Sequence, residues 1–193
     1  MCFFDASMPP LADSRRGRIL YRLVTVLLAL SVLVNMGWIF YMSSEDRTES
    51  GDRSGAVTDA IVDAVYPDFD QRPPEEQESI LQRVHRFIRK AAHFSEFMLL
   101  GFLTAALVFH LARRYSELTP SRQWYMPAAF CLAYAASDEI HQIFTERGPR
   151  VSDALLDFAG AIGGIVIVRL FIWAVCAVSR KCYARRREGV LSA

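Results

Sequence analysis

Residues Arg89–Ala112 read RKAAHFSEFMLLGFLTAALVFHLA. From Ala91 onward the stretch is apolar for about the 20 residues that a helix needs to cross a bilayer, yet its first turns carry His93 and Glu96. Three more blocks have the same length and character, Leu23–Met42, Trp124–Phe144 and Ala154–Val178. In a soluble protein of 193 residues, four helices apolar almost all the way round could not be surrounded by other structure. The expected fold is an all-α integral membrane protein, a bundle of four transmembrane helices.

The net charge of +1, from 22 basic and 21 acidic residues, conceals a segregation. Arg15, Arg16, Arg18 and Arg22 precede the first block, Arg113, Arg114 and Arg122 lie between the second and third, and Arg180, Lys181, Arg185, Arg186 and Arg187 follow the fourth. The positive-inside rule places these segments in the cytoplasm. The chain then divides into a basic cytoplasmic N-terminus (1–22), a membrane domain (23–178) and a basic cytoplasmic tail (179–193). The acidic connection 43–88 and the turn TERGPRVS fall outside, in a protein of the cytoplasmic membrane. The first block is too long for a signal h-region, and FYMSSED offers no small-residue cleavage site, so it is expected to stay as an anchor. No two of the four cysteines sit at metal-ligand spacing, and none lies in an outer segment where a disulfide would form. Arginines at span ends give no support for nucleic-acid binding.

The outer connection is expected to carry two short amphipathic helices. Val57, Ala60, Ile61, Ala64 and Val65 recur on one helical face. Pro73-Pro74 followed by Glu75-Glu76 is a helix start, with acids at the positive end of the dipole, and Ile80, Leu81, Val84, Phe87 and Ile88 form a stripe behind it.

With this topology three spans carry ionisable groups to one depth. The second enters from outside with Arg89, His93 and Glu96, the third ends outside with Asp138, Glu139, His141 and Gln142, and the fourth begins outside with Asp153 and Asp157. Residues three or four apart share a helix face, so Arg89–His93–Glu96, Asp138–His141–Gln142 and Asp153–Asp157–Gly160–Gly164 are three stripes able to face one another. Charge in lipid costs about 2.5–3.5 kcal/mol per group at mid-bilayer on insertion scales, which drives such groups into the bundle. Each also has a structural reading. Lys90 can anchor its helix at the head groups, His93 and Glu96 can be an interhelical pair, Asp153 can cap its helix, and Glu139 points away from Asp138 toward the interface. Gly160, Ala161, Gly163 and Gly164 read as a close-packing face. Arg169 and His110 lie toward the inner side, apart from the polar group.

The motifs FYMSS, RKAAHFSEF, AYAASDEIHQIF, an Arg-bearing turn and DALLDFAGAIGG, in that order from about Phe40 to Gly164, resemble the signature of the VanZ family of small membrane proteins. The resemblance implies that the family's recurrent polar residues are Arg89, His93, Glu96, Asp138, Glu139, His141, Gln142, Asp153 and Asp157. Its turn arginine corresponds best to Arg147, with Arg150 the alternative, because TERGPRVSD departs from the usual Gly-Arg. The founding member is associated with low-level resistance to teicoplanin, a glycopeptide acting at the outer membrane surface, which agrees with an outward-facing site.

The leading expectation is an enzyme acting on the head group of a phospholipid or polyprenyl-linked envelope lipid by phosphodiester transfer or hydrolysis. His93 or His141 would be nucleophile or general base. Glu96, Asp138 and Asp157 would orient and charge-stabilise them, and Arg89 and Arg147 would hold a phosphate. Glu139, Gln142 and Asp153 belong to the substrate side of the same pocket. Two histidines with several carboxylates also suit Zn²⁺ or Mn²⁺, but no HExxH occurs and the ligands would come from separate helices, so sequence assigns no metal. The rival class is a non-catalytic binding or scaffold protein for envelope lipids or glycopeptide-type antibiotics.

Overall fold

The computed structural model describes residues 14–44, 57–143 and 151–191, excepting the side chains of 143, 151 and 180–191. Five helices follow in chain order: α1 (Arg15–Ser44), α2 (57–65), α3 (Pro74–Ala112), α4 (Arg122–Ile143) and α5 (Val151–Leu191). A short 3-10 turn, Phe69–Gln71, precedes α3. No strand occurs among the described residues. Helices α1, α3 and α5 contain segments long and apolar enough to cross a membrane. Their flanks agree with that role, since Leu23, Leu27, Leu33, Val34, Leu170 and Phe171 are all more than half exposed and would be costly in water. Helix α4 has the length of a span, 22 residues or about 33 Å, but it contains Pro127 and its last turns carry Asp138, Glu139, His141 and Gln142.

Helices α3 and α5 make the most extensive contact in the molecule, and small residues bring them together. A Cβ added to Gly101 would collide with the backbone of Ala161, one on Gly160 with the backbone of Phe94, and one on Gly164 with the backbones of Met98 and Phe102. Gly163 is different, with the Met98 side chain 3.9 Å away and no backbone close. Around this contact Val32, Ile39, Phe97, Leu100, Cys131, Ala135 and Ala161 form a core shared by α1, α3, α4 and α5. A second cluster joins α3, α5 and α4 through Ala105, Ile165 and Val168, with Ala128 against them.

The segment before the second apolar block departs from expectation in two ways. The stripe beginning at Pro74 does not form a separate short helix. It runs unbroken into the span as one helix of 39 residues, with Pro74 and the two glutamates in its first turn as the sequence indicates. Nothing in RFIRKAAHFSEF can stop a helix, since it contains neither Gly nor Pro and is rich in helix formers. Phe87 is exposed, whereas Ile80, Leu81, Val84 and Ile88 do join one cluster. The face of α2 is also rotated from the expected one. Thr58 and Val62 are buried, while Val57 and Val65 are more than half exposed. Val62 and Ile61 pack on Ile80 and Val84, and the Thr58 hydroxyl lies 3.4 Å from His85 Nδ1. The polar Thr58 sits inward because α3 offers it a histidine.

The glycine contact yields a test. Gly164→Leu and Gly101→Val should each cost on the order of 1–3 kcal/mol or more through overpacking, read as reduced accumulation and a lower melting temperature in detergent. Gly37→Leu should be tolerated, because nothing lies within 4 Å of the added Cβ.

Candidate functional site

At the end of the bundle where α1 finishes and α5 begins, His93 of α3, Asp138 of α4 and Asp157 of α5 meet. One ligand-capable atom from each lies within 4.8 Å of the others. Asp138 and Asp157 are 4% and 3% exposed, so both carboxylates are withdrawn from solvent, and burying a charge without compensation is expensive. Asp138 is held from two sides, by Ser43 Oγ at 2.8 Å and Gln142 Nε2 at 2.9 Å. Both donors reach Oδ2. Among the described residues no hydrogen bond or ion pair reaches the Asp157 carboxylate, although Asp138, Glu139, Asp153 and Glu96 all lie within electrostatic range of it.

The neighbouring groups extend the cluster. Glu96 Oε2 is 3.8 Å from His93 Nδ1, and Trp38 Nε1 donates to Glu96 Oε1 at 3.1 Å. His141 stands against α1: its Nε2 is 3.0 Å from Ser44 Oγ, and its ring packs on Phe40 with centroids 4.4 Å apart. Arg89 is half-buried on the same side of α3 as His93. Lys90, read from sequence as a head-group anchor, instead bonds Asp153 at 2.6 Å and ties α3 to the first turn of α5. Both partners are partly exposed, so this pair contributes little, within about 1 kcal/mol.

One placement corrects the sequence reading. Glu139 does not face the interface; it is buried, at 8% exposure. The residue after Asp138 lies about 100° further round the helix, so the buried face of α4 is wider here than the single Asp138–His141–Gln142 stripe. Arg147 and Arg150 lie outside the described residues.

The contribution of α1 to the cluster was missed. Ser43, Ser44 and Trp38 each hold a polar side chain of another helix. The available signal was the buried stripe Val32–Asn35–Ile39–Ser43, whose spacing of three and four residues marks the inward face of α1 and makes Ser43 its last member.

At the opposite end of the bundle the polar groups are anchors. His110 stacks on Tyr21 with ring centroids 4.4 Å apart, and its Nε2 lies 3.2 Å from Thr25 Oγ1. Arg169 lies over the Trp124 ring at 4.8 Å and donates to Gln123 Oε1. As the sequence indicates, neither residue joins the His93 cluster.

The fold and site define an all-α protein with membrane-length helices, whose buried histidine and carboxylates converge from separate helices at one end. The VanZ/LLP1 family profile matches residues 27–172, which takes in every member of that cluster. The chain belongs to the VanZ/LLP1 family. No curated protein and no solved structure matches it.

The Ser43–Asp138 contact is measurable. In a double-mutant cycle of Ser43→Ala with Asp138→Asn, unfolding in detergent should give a coupling on the order of 1 kcal/mol. Ser44→Ala combined with Asp138→Asn should be additive, since Ser44 bonds His141 and the Phe40 carbonyl instead.

Proposed function

We propose that this protein is a four-span enzyme of the cytoplasmic membrane, its polar cluster set at the outer end of the bundle. Its substrate is the phosphate-bearing head group of a phospholipid or polyprenyl-linked envelope lipid, and its reaction is phosphodiester transfer or hydrolysis. The observation that carries this reading is the meeting of His93, Asp138 and Asp157 from three helices in a buried site. A purely structural interhelical bond needs two groups, whereas this site gathers a histidine and two buried carboxylates, with Glu96 and His141 alongside. Helix α4 serves as the fourth span, and the arginine segments set both termini in the cytoplasm.

In this mechanism His141 is the general base through Nδ1, because the Ser44 hydroxyl donates to the Phe40 carbonyl and accepts from His141 Nε2–H. It takes a proton from the attacking water or acceptor alcohol as the oxygen adds to phosphorus. The P–O bond to the departing alcohol breaks, and that alcohol leaves with the proton returned by the imidazole. Arg89 and Arg147 hold the phosphate oxygens in their planar donor forks. His93 shares in the proton transfer, charge-stabilised by Glu96 at 3.8 Å and by the nearby carboxylates of Asp138 and Asp157.

Two tests bear on the proposal. A cysteine placed at Ser50 should react with an impermeant maleimide on intact cells, and one at Ser121 only after permeabilisation; the reverse pattern moves the cluster to the cytoplasmic face. Lipid and envelope-precursor mass spectrometry should show a species that accumulates in cells lacking the protein and is consumed in its presence. His141→Gln and His93→Gln should each slow that turnover by roughly 10²-fold or more at unchanged protein level. Glutamine keeps hydrogen bonding but takes up no proton near neutral pH. Full function in the double variant would instead establish a binding protein.

A further inference from the structure

Two buried carboxylates and an imidazole nitrogen within 4.8 Å of one another leave a charge to be balanced. Asp138 and Asp157 repel in a site almost closed to water, and Glu96, Glu139 and Asp153 add to the negative potential around Asp157. Lys90, the nearest lysine in sequence, is committed to Asp153. The hydrogen bonds within the cluster are one-sided. Ser43 and Gln142 both donate to Oδ2 of Asp138, so neither engages its other oxygen. The Asp157 carboxylate, 97% withdrawn from solvent by its 3% exposure, accepts no hydrogen bond among the described residues and points at the same spot.

We propose that His93, Asp138 and Asp157 together bind one divalent transition-metal ion, Zn²⁺ or Mn²⁺. One imidazole nitrogen and two carboxylate oxygens form a mixed ligand set that suits these ions. Ligand atoms on a tetrahedral ion of this size stand about 3.4 Å apart, so three atoms that now lie within 4.8 Å of one another would draw inward by at most about 1.4 Å on binding. Three protein ligands leave a coordination position for water or a phosphate oxygen, as open catalytic sites do. Ser43, Gln142 and Glu96 are the supporting shell. The two donors fix the Asp138 carboxylate, and Glu96, held by Trp38, stands 3.8 Å from the imidazole it orients. The ion deepens the head-group proposal by giving the phosphate a Lewis acid, but its presence does not depend on that proposal. The rival occupant is a proton on His93, which would satisfy the carboxylates as an imidazolium.

The test uses the full chain, purified in mild detergent, loaded with Zn²⁺ or Mn²⁺, desalted and analysed by inductively coupled plasma mass spectrometry. The wild-type protein should retain about one ion per chain, and chelation should lower its melting temperature, with recovery on re-addition of the metal. Asp157→Asn and His93→Gln should lose the ion roughly 100-fold or more in affinity, and Ser43→Ala, outside the ligand set, roughly tenfold. Lys90→Ala, which breaks only the surface pair, should bind as wild type. Wild-type protein holding under about a tenth of an ion per chain after loading overturns the proposal and leaves the imidazolium. This result needs no variant to fold. Equal retention by Asp157→Asn and His93→Gln overturns it too. A stoichiometric ion lost in those variants, in a protein that changes no lipid, leaves the metal site standing and removes the head-group reading. Lipid turnover by a chain that never binds metal does the reverse.

Discussion

The backbone contact between α3 and α5 is the constraint on which the polar cluster depends. Gly160 is pressed against the backbone of Phe94, and those residues stand immediately beside the site: Phe94 follows His93, and Gly160 is one turn beyond Asp157. An aspartate side chain reaches only a few ångströms from its helix. For Asp157 to meet an imidazole on α3, the two backbones must approach more closely than ordinary side chains allow. Gly160, Gly164 and Gly101 provide that approach with no driving force from water, as is usual where helices associate in lipid. Packing and chemistry are thus set by the same few residues, and an enlarged glycine would separate His93 from Asp157 as well as loosen the bundle.

The closeness that makes the cluster also creates its cost. Asp138 and Asp157 are the most buried carboxylates among the described residues and approach one another from α4 and α5. The protein spends Ser43 and Gln142 on Asp138 yet places none of its described donors on Asp157. A group kept buried under those conditions is poorly explained as a strut, because a valine or serine at the same place would pack on α3 without the charge. This asymmetry is why a cationic occupant accounts for the site better than interhelical hydrogen bonding does.

Much of this arrangement could be read from the chain because it is carried by periodicity within single helices. The apolar blocks mark the membrane-length helices, three-and-four spacing places His93, Asp138 and Asp157 on inward stripes, and the Gly160–Gly164 run gives the packing face. What escaped was set by contacts between elements. The face α2 buries is decided by the His85 ring waiting for Thr58, which no pattern within 57–65 reveals. The burial of Glu139 is set by packing around α4 that no spacing within that helix reveals. Ser43 and Trp38 are unremarkable on α1 until their partners, 95 and 58 residues away, are known. The continuity of α3 was legible in principle, since no breaker separates Pro74 from Ala112, but the change from amphipathic to apolar composition near Ala91 suggested a boundary that the backbone does not make.

The two ends of the bundle also differ in a way that bears on function. Between the His93 cluster and the His110–Tyr21 stack lies the apolar layer of Ile39, Phe97, Leu100, Cys131, Ala135 and Ala161. Within it, Thr104 turns its hydroxyl back onto the carbonyls of Leu100 and Gly101 in its own helix, and Tyr134 donates to the Met36 carbonyl at 2.6 Å. A route for protons or ions needs polar groups handed on from one to the next across the membrane. Among the described residues the layer instead uses its few hydroxyls to satisfy backbone, and Phe97 and Leu100 are fully buried at its centre. Among the described residues the carboxylates that the chain carries into its apolar helices gather at one end, while Arg169 and His110 sit at the other. Such a layer is what the proposed reading, chemistry at a single face, requires.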